Sequence, residues 1–142
     1  MQEHPILFYT DDDEDDLFVF ESIAKELIAS TYLFSDGDTL LSRLNNPPPK
    51  PSLVFVDLNM PTKSGYEIMD EMKSSKKLKG IPIIILSTAG DSFSIEKCRQ
   101  AGASYYIQKP TSMEKLKDAV ECTLNIDWQK HDPAVDGFVY KA

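Results

Sequence analysis

Four short apolar runs of the sequence each lead to residues that could do chemistry. Asp11–Asp16 come after the run Ile6–Tyr9, Asp57 follows Leu53–Val56, Ser87 follows Ile83–Leu86, and Lys109 follows Tyr105–Gln108. If these runs are strands of a parallel sheet, their carboxyl ends share one edge, where open α/β sheets bind their ligands. Carboxylates, a hydroxyl and an amine at that edge are suited to holding a divalent cation and a phosphoryl group.

The acidic stretch contains more carboxylates than the start of a helix needs. Acidic residues are favoured in a first helical turn, so Asp13 to Asp16 fit a charged helix start. Asp11 and Asp12 precede the helix, and their repulsion with Asp57 would cost about 4 kcal/mol for two charges about 4 Å apart at an effective dielectric of about 20. A bound cation removes that cost. Mg²⁺ suits the site because it takes one or two carboxylates, keeps several waters and accepts phosphate oxygens.

Asp57 is the candidate nucleophile of this constellation. A carboxylate at a strand end beside a metal can attack a phosphoryl group, while the metal neutralises the developing charge. Lys109 would be a point-charge partner for phosphate, and Pro110 after it raises the question of a cis bond. Ser87 offers a hydroxyl to a phosphoryl oxygen, and Thr88 is a neighbouring alternative.

The elements that must position these residues alternate between strand and helix, the signature of a parallel sheet. We predict strands at about 6–10, 31–34, 53–56, 83–86 and 105–108, with helices near 17–28, 40–44, 66–74, 94–101 and 112–126. The fold class is therefore α/β, a doubly wound five-stranded flavodoxin-like (βα)5 sheet with strand order 2-1-3-4-5. We predict inward faces at Leu17, Phe20, Ala24, Leu27 and Ile28, at Ile68, Met69 and Met72, and at Met113, Leu116, Val120 and Thr123.

Length, net charge and cysteine spacing exclude several classes of function. The 142 residues fit one domain, and the net charge of -8 argues against nucleic-acid binding. The densest basic stretch, 73–79, fits a solvated helix end. Cys98 and Cys122 have neither metal nor disulfide spacing and are expected as small buried residues. No signal peptide and no apolar run of membrane-spanning length is present, so we expect a cytoplasmic protein without a membrane partner.

Two segments have no place in the strand–helix alternation. Residues 45–51 contain four prolines and fit a stiff connector into the third strand, or a polyproline ligand for a partner domain. Residues 127–142 carry Trp128, Phe138, Val139 and Tyr140, which are too apolar for a solvated tail. This segment either lies across its own domain, is flexible, or docks a partner. We assign 1–126 to the domain and 127–142 to a C-terminal tail without an output domain.

Together the motifs resemble the receiver domain of bacterial two-component response regulators, of the stand-alone type found in chemotaxis. The resemblance rests on Asp11–Asp12, Asp57–Pro61 with Gly65, Pro82–Ser87 and Ala101–Pro110, and it covers about residues 5–126. It implies that a histidine kinase or phosphotransfer protein phosphorylates Asp57. It also implies Mg²⁺ ligation by Asp12, Asp57 and the Asn59 backbone carbonyl, with Asp11 acting mainly through a water. Lys109 would pair with the phosphoryl group.

The resemblance further implies a switch that catalyses only its own phosphorylation and dephosphorylation, rather than an enzyme. Ser87 would be drawn toward the phosphoryl group, and Tyr106 would swing inward into the space it leaves. The face formed by the fourth helix, fifth strand and fifth helix would then bind a downstream protein effector differently, or form a homodimer. The chain departs from the family in its six consecutive acids and in Ala89, which offers no polar group to position an attacking water.

Three other functions fit parts of the sequence. A haloacid-dehalogenase-type enzyme also uses a strand-end Asp and Mg²⁺, but by resemblance it expects an acid where this chain has Asn59, and a cap for which no insertion exists. A flavin- or nucleotide-binding protein needs a first loop rich in phosphate-binding backbone donors, whereas six acids would repel phosphate. An adaptor that has lost phosphorylation would not need the intact set of Asp12, Asp57, Ser87 and Lys109.

Overall fold

The computed structural model describes residues 4–142, so Met1 to Glu3 of the assigned 1–126 unit lie outside the described residues. The strands are β1 (Ile6–Thr10), β2 (Ser30–Phe34), β3 (Leu53–Val56), β4 (Ile83–Ser87) and β5 (Tyr105–Gln108). The helices are α1 (Glu14–Glu26), α2 (Gly37–Leu44), α3 (Gly65–Ser74), α4 (Ser92–Ala101), α5 (Met113–Leu124) and α6 (Pro133–Asp136). The strands form one parallel sheet in the order β2-β1-β3-β4-β5, which confirms the predicted doubly wound fold. Within residues 4–142, no helix combines the length and apolarity needed to cross a membrane.

The core lies in two layers, one on each face of the sheet. Phe8, Val54 and Ile85 pack against α2, α3 and α4, whereas Tyr9 and Phe55 pack against α1 and α5. Because β3 and β4 are covered on both faces, their sequences are continuous apolar runs rather than alternating ones. The same double coverage fixes the register of the strands that carry the site residues.

Helix caps determine where the acidic stretch changes from loop to helix. The Asp13 side chain is the N-cap of α1 and accepts hydrogen bonds from the N–H groups of Asp15 and Asp16. The helix therefore begins at Glu14 and leaves Asp11 and Asp12 in the β1–α1 loop, as predicted. At the start of α3, Gly65 is required by space, because a Cβ there would lie 2.6 Å from the Asp57 carbonyl oxygen.

Two predicted inward positions are wrong, and both lie at helix ends. Ile28 is 70% exposed with a φ of 58°, because α1 ends at Glu26 and the chain reverses into β2. That reversal is closed by the Ala29 N–H, which donates to the Ala24 carbonyl. Met113 is 48% exposed because it opens the first turn of α5. The predicted inward positions of α3 are all buried, and so is Thr123 of α5. Of the two cysteines, Cys98 is buried as predicted, whereas Cys122 is only partly buried.

The C-terminal segment lies across its own domain, along the outer edge of β5. The Tyr106 N–H donates to the Phe138 carbonyl and the Tyr140 N–H donates to the Tyr106 carbonyl, both at 2.9 Å. Phe138 is 7% exposed and its ring centroid lies 6.2 Å from that of Tyr106. Trp128 packs edge-on against Tyr105, and its indole N–H donates to the Thr123 carbonyl. Of the three alternatives left open by the sequence, the structure shows the first, in which the tail lies across its own domain.

Candidate phosphoryl and metal site

Backbone hydrogen bonds continue past the ends of the strands and fix the site residues relative to one another. The Asp57 N–H donates to the Thr10 carbonyl at 3.1 Å, and the Lys109 N–H donates to the Ser87 carbonyl at 2.7 Å. On the other side of β1, the Asp11 N–H donates to the Phe34 carbonyl at 3.0 Å. The predicted acids and Lys109 are therefore held at the carboxyl edge by the ladder of the sheet itself.

Three carboxylates converge at this edge. Asp11, Asp12 and Asp57 each offer one oxygen, and these oxygens lie within 4.8 Å of one another. Asp11 is fully buried, Asp57 is 7% exposed, and Asp12 is exposed to solvent. A set of oxygen donors with one solvent-facing member matches the preference of a hard divalent cation that retains water. Asn59 is exposed in the β3–α3 loop, two residues after Asp57.

The pKa of the Asp57 carboxyl group is shifted well above its usual value. Burial raises its pKa to about 6, with the Asp11 and Asp12 charges acting in the same direction and Lys109 opposing them. The Leu58 N–H donates to Asp57 Oδ1 at 2.9 Å and also favours the ionised form. A buried carboxylate near neutral pKa is typical of a functional site, because a structural acid would normally be exposed or fully paired.

Lys109 lies between three carboxylates and is 14% exposed at its side chain. Its Nζ is 2.7 Å from Asp11 Oδ2, 2.8 Å from Asp16 Oδ2 and 3.8 Å from Asp57 Oδ1. Burial alone would lower the pKa of Lys109, but the hydrogen bonds to Asp11 and Asp16 raise it above the usual value. The cis peptide bonds of residues 4–142 are Pro47–Pro48 and Pro48–Pro49, so the Lys109–Pro110 bond is trans.

Two residues of this site were not among those predicted from the sequence. Asp16 binds Lys109, although its sequence position indicated only a charged helical turn. Tyr9, 1% exposed, donates its hydroxyl proton to Asp11 Oδ2, and its pKa is raised by burial and by the Asp11 charge. The sequence contains an indication that each of these two residues faces the site. Asp16 shares the helical stripe of buried Phe20 and Ile23, and Tyr9 lies two residues before Asp11, on the same face of the strand.

Ser87 and Tyr106 are joined through one loop residue rather than to the carboxylates. Ser87 Oγ accepts a hydrogen bond from the Ala89 N–H at 3.2 Å, and the Tyr106 hydroxyl donates to the Ala89 carbonyl at 2.6 Å. Both side chains are fully buried. The Tyr106 ring therefore already occupies an inward position, and Phe138 lies against it. Burial raises the pKa of Tyr106 to about 12.

Comparison with known proteins adds a family and a set of related structures. The family model of the response regulator receiver domain matches residues 7–121. The two-component response regulator ARR17 of Arabidopsis thaliana is 38% identical over 71 residues, which are 48% of this chain and 46% of ARR17. The aligned part of the chain thus spans less than half the length of that relative.

Two solved structures are similar in fold. The phosphorylated cyanobacterial phytochrome response regulator RcpA has a TM-score of 0.76 and 24% identity, over 91% of this chain and 96% of RcpA. The Mn²⁺-bound form of response regulator Rcp1 has a TM-score of 0.75 and 21% identity, over 89% of this chain and 96% of Rcp1.

Proposed function

The chain belongs to the response regulator receiver domain family, and on that premise we propose that it is a phosphoacceptor switch whose acceptor is Asp57. The observation that carries the proposal is the position of this buried carboxylate at the end of β3, between two other acids and the Lys109 ammonium. The structures of similar fold, phosphorylated RcpA and Mn²⁺-bound Rcp1, support the same chemistry for this chain.

In the proposed reaction, one Asp57 oxygen attacks the phosphorus of a phosphohistidine on a histidine kinase or phosphotransfer protein. An O–P bond forms, the P–N bond breaks, and its electron pair leaves with the imidazole nitrogen. Lys109 Nζ is 3.8 Å from Asp57 Oδ1, which leaves the ammonium near enough to donate to an oxygen of the attached phosphoryl group. The chain would therefore catalyse only its own phosphorylation and dephosphorylation.

We assign the metal site to Asp11, Asp12, Asp57 and the Asn59 backbone carbonyl, with Mg²⁺ as the cofactor. When bound, Mg²⁺ supplies positive charge that neutralises the carboxylates and the transferred phosphoryl oxygens. Asp12 and Asp57 fit direct ligation, while the hydrogen bonds of Asp11 to Tyr9 and Lys109 fit ligation through a water. The protein's own residues orient the acceptor and hold the balancing ammonium.

The proposed switch runs from Ser87 to Tyr106 through the backbone of Ala89. If the Ser87 hydroxyl turns toward a phosphoryl oxygen, it gives up the Ala89 N–H, and the loop that holds the Tyr106 hydroxyl is released. Since the Tyr106 ring is already buried, the change would fall on this loop and on the tail segment packed against the ring. The affected face, formed by α4, β5 and α5, is where we place a downstream protein effector or a homodimer contact.

We further propose that 1–126 form the receiver unit and that 127–142 form a tail packed on it. The acidic composition supports protein partners rather than nucleic acid or a membrane surface. We also propose a cytoplasmic location.

The test is the intact mass of the protein after incubation with acetyl phosphate and Mg²⁺. Wild type is expected to gain one phosphoryl group that requires Mg²⁺ and is removed by hydroxylamine, as an acyl phosphate should be. Asp57→Asn is expected to gain none, whereas Asp70→Asn, which alters an exposed acid on α3, should behave like wild type. An adduct that persists in Asp57→Asn would overturn the assignment.

A further inference from the structure

The contact between Asp16 and Lys109 lies outside the set of carboxylates assigned to the metal. The Lys109 ammonium has three donors, and its two short contacts are to Asp11 at 2.7 Å and Asp16 at 2.8 Å. Asp57 is 1 Å farther away, at 3.8 Å. The ammonium is thus bonded to the first loop and to α1, and only adjacent to the proposed acceptor.

The backbone of α1 fixes where Asp16 can reach. The Asp13 side chain caps the helix through the Asp15 and Asp16 N–H groups, so the first turn is held in place. Asp16 shares a helical face with buried Phe20, whereas Asp15 is exposed. The Asp16 carboxylate is therefore directed across the site toward Lys109, although its side chain is still 40% exposed.

The two carboxylates bound to Lys109 are not equivalent. Asp11 is fully buried and also accepts the Tyr9 hydroxyl proton, so it is constrained from two sides. Asp16 has Lys109 as its side-chain hydrogen-bond partner in the described part of the chain. A cavity of about 170 Å³, whose lining includes Tyr9, Asp16, Lys109 and Leu116, lies beside this contact. The Asp16 contact can accordingly break without repacking the core.

We propose that Asp16 is a positioning residue that acts through Lys109 and opposes phosphorylation of Asp57. It holds the ammonium toward α1 and competes with the phosphoryl group for it. Lys109 must redirect a donor to a phosphoryl oxygen, and the Asp16 contact has to weaken for that to happen. This inference rests on the proposed function of Asp57.

The first test compares the rate constant of Asp57 phosphorylation by acetyl phosphate in wild type, Asp16→Asn, Asp16→Glu and Asp15→Asn. Since a partly exposed ion pair contributes at most about 1 kcal/mol, we expect Asp16→Asn to react about two- to fivefold faster than wild type. Asp16→Glu keeps the charge and should return toward the wild-type rate. Asp15→Asn removes an exposed charge one residue away and should match wild type. A merely structural role for Asp16 predicts slower reaction instead.

The second test asks whether the effect passes through Lys109. In a Lys109→Gln background, the acceleration by Asp16→Asn should disappear, because no ammonium remains to be released. If the acceleration persists there, Asp16 acts by direct repulsion of the phosphoryl group, and the proposal is overturned. Circular dichroism spectra of all variants establish that each is folded.

The outcomes separate this inference from the function on which it rests. A wild-type adduct with equal rates in wild type and Asp16→Asn would overturn the role of Asp16 alone. Failure of folded, Mg²⁺-treated wild type to form any adduct would overturn the proposed function and the role of Asp16 together.

Discussion

Lys109 Nζ stands 3.8 Å from Asp57 Oδ1, a separation longer than a hydrogen bond but still within the range of an ion pair. The ammonium therefore offsets part of the charge at the proposed acceptor without occupying it. The pKa of Asp57 is raised to about 6 in spite of this neighbour, because burial is the larger influence. Because this carboxylate is costly to ionise and lies beside two other possible cation ligands, its state should respond to both pH and Mg²⁺.

The first prediction concerns stability and pH in the presence of EDTA. The pKa of Asp57 is about 6 in the folded protein and about 3.9 in an unfolded chain. Between these values the folded state retains a proton that the unfolded state releases, so the contribution of Asp57 to stability should fall as the pH rises from about 4 to about 6. At about 1.4 kcal/mol per unit, the loss in the free energy of unfolding is about 2–3 kcal/mol.

Asp57→Asn removes that titration and isolates its effect. Denaturant unfolding at a series of pH values should show the variant gaining stability over wild type as the pH rises through this interval. If the free energy of unfolding of the two proteins differs by the same amount at every pH in this interval, the pKa of Asp57 is not raised by folding.

The second prediction concerns Mg²⁺. A ligand that binds only the folded protein stabilises it by mass action, so MgCl₂ should raise the melting temperature of wild type. Asp12→Asn removes a solvent-facing ligand without leaving a cavity and should abolish most of that increase. Asp70→Asn is the matched control, since it removes one exposed acid outside the site. Equal Mg²⁺ responses in Asp12→Asn and Asp70→Asn would contradict the assigned metal site.

The third prediction concerns the tail on β5. Phe138→Ala deletes the buried ring that contacts Tyr106, and we expect a loss of about 1–3 kcal/mol. That is below the about 3–5 kcal/mol of a central phenylalanine, because a terminal segment can detach locally. Hydrogen exchange at the Tyr106 and Tyr140 amides, which lie in the tail bridge, should accelerate.

Val135→Ala provides the control for this experiment. Val135 belongs to the same tail but is 79% exposed, so its truncation should leave both amides protected. If Phe138→Ala also leaves them protected, the tail is not held to the sheet by that ring.

The fourth prediction concerns the connection from Ser87 to Tyr106. Fluorotyrosine at position 106 reports the surroundings of the hydroxyl that donates to Ala89. Beryllofluoride, a phosphoryl mimic, should shift that signal in wild type, and the shift should shrink in Ser87→Ala, which lacks the hydroxyl that holds the Ala89 N–H. An undiminished shift in Ser87→Ala would show that Ser87 does not connect the two sites.

Most of the fold could be predicted from the sequence because strand and helix periods differ and because β3 and β4, which are covered on both faces, are continuous apolar runs. The exposure of residues at the helix ends was less predictable. Ile28 and Met113 both continue an apolar stripe, but Ile28 lies two residues past the end of α1 and Met113 opens the first turn of α5. The positions of the strand-end acids and of Lys109 were predictable because each of these residues directly follows a strand, and parallel strands end at the same edge of the sheet.

The contacts of Tyr9, Asp16 and the tail were harder to predict because they depend on side chains crossing between elements. Tyr9 and Asp16 look like a core aromatic and a helix-turn acid until the distance to Asp11 or Lys109 is known. The tail has no periodicity, and its attachment through Phe138 and Tyr140 is a single bridge beside β5. Local patterns place Tyr9 and Asp16 on the appropriate strand face and helical stripe, but they do not identify the side chain that each one contacts.

The central claim is that Asp57 itself carries the phosphoryl group. Reduction of the acetyl phosphate-treated protein with borohydride converts an aspartyl phosphate to homoserine, which tandem mass spectrometry can assign to a single residue. We expect homoserine at position 57 and nowhere in the acidic stretch 11–16. Homoserine at another aspartate, with residue 57 unmodified, would contradict the account.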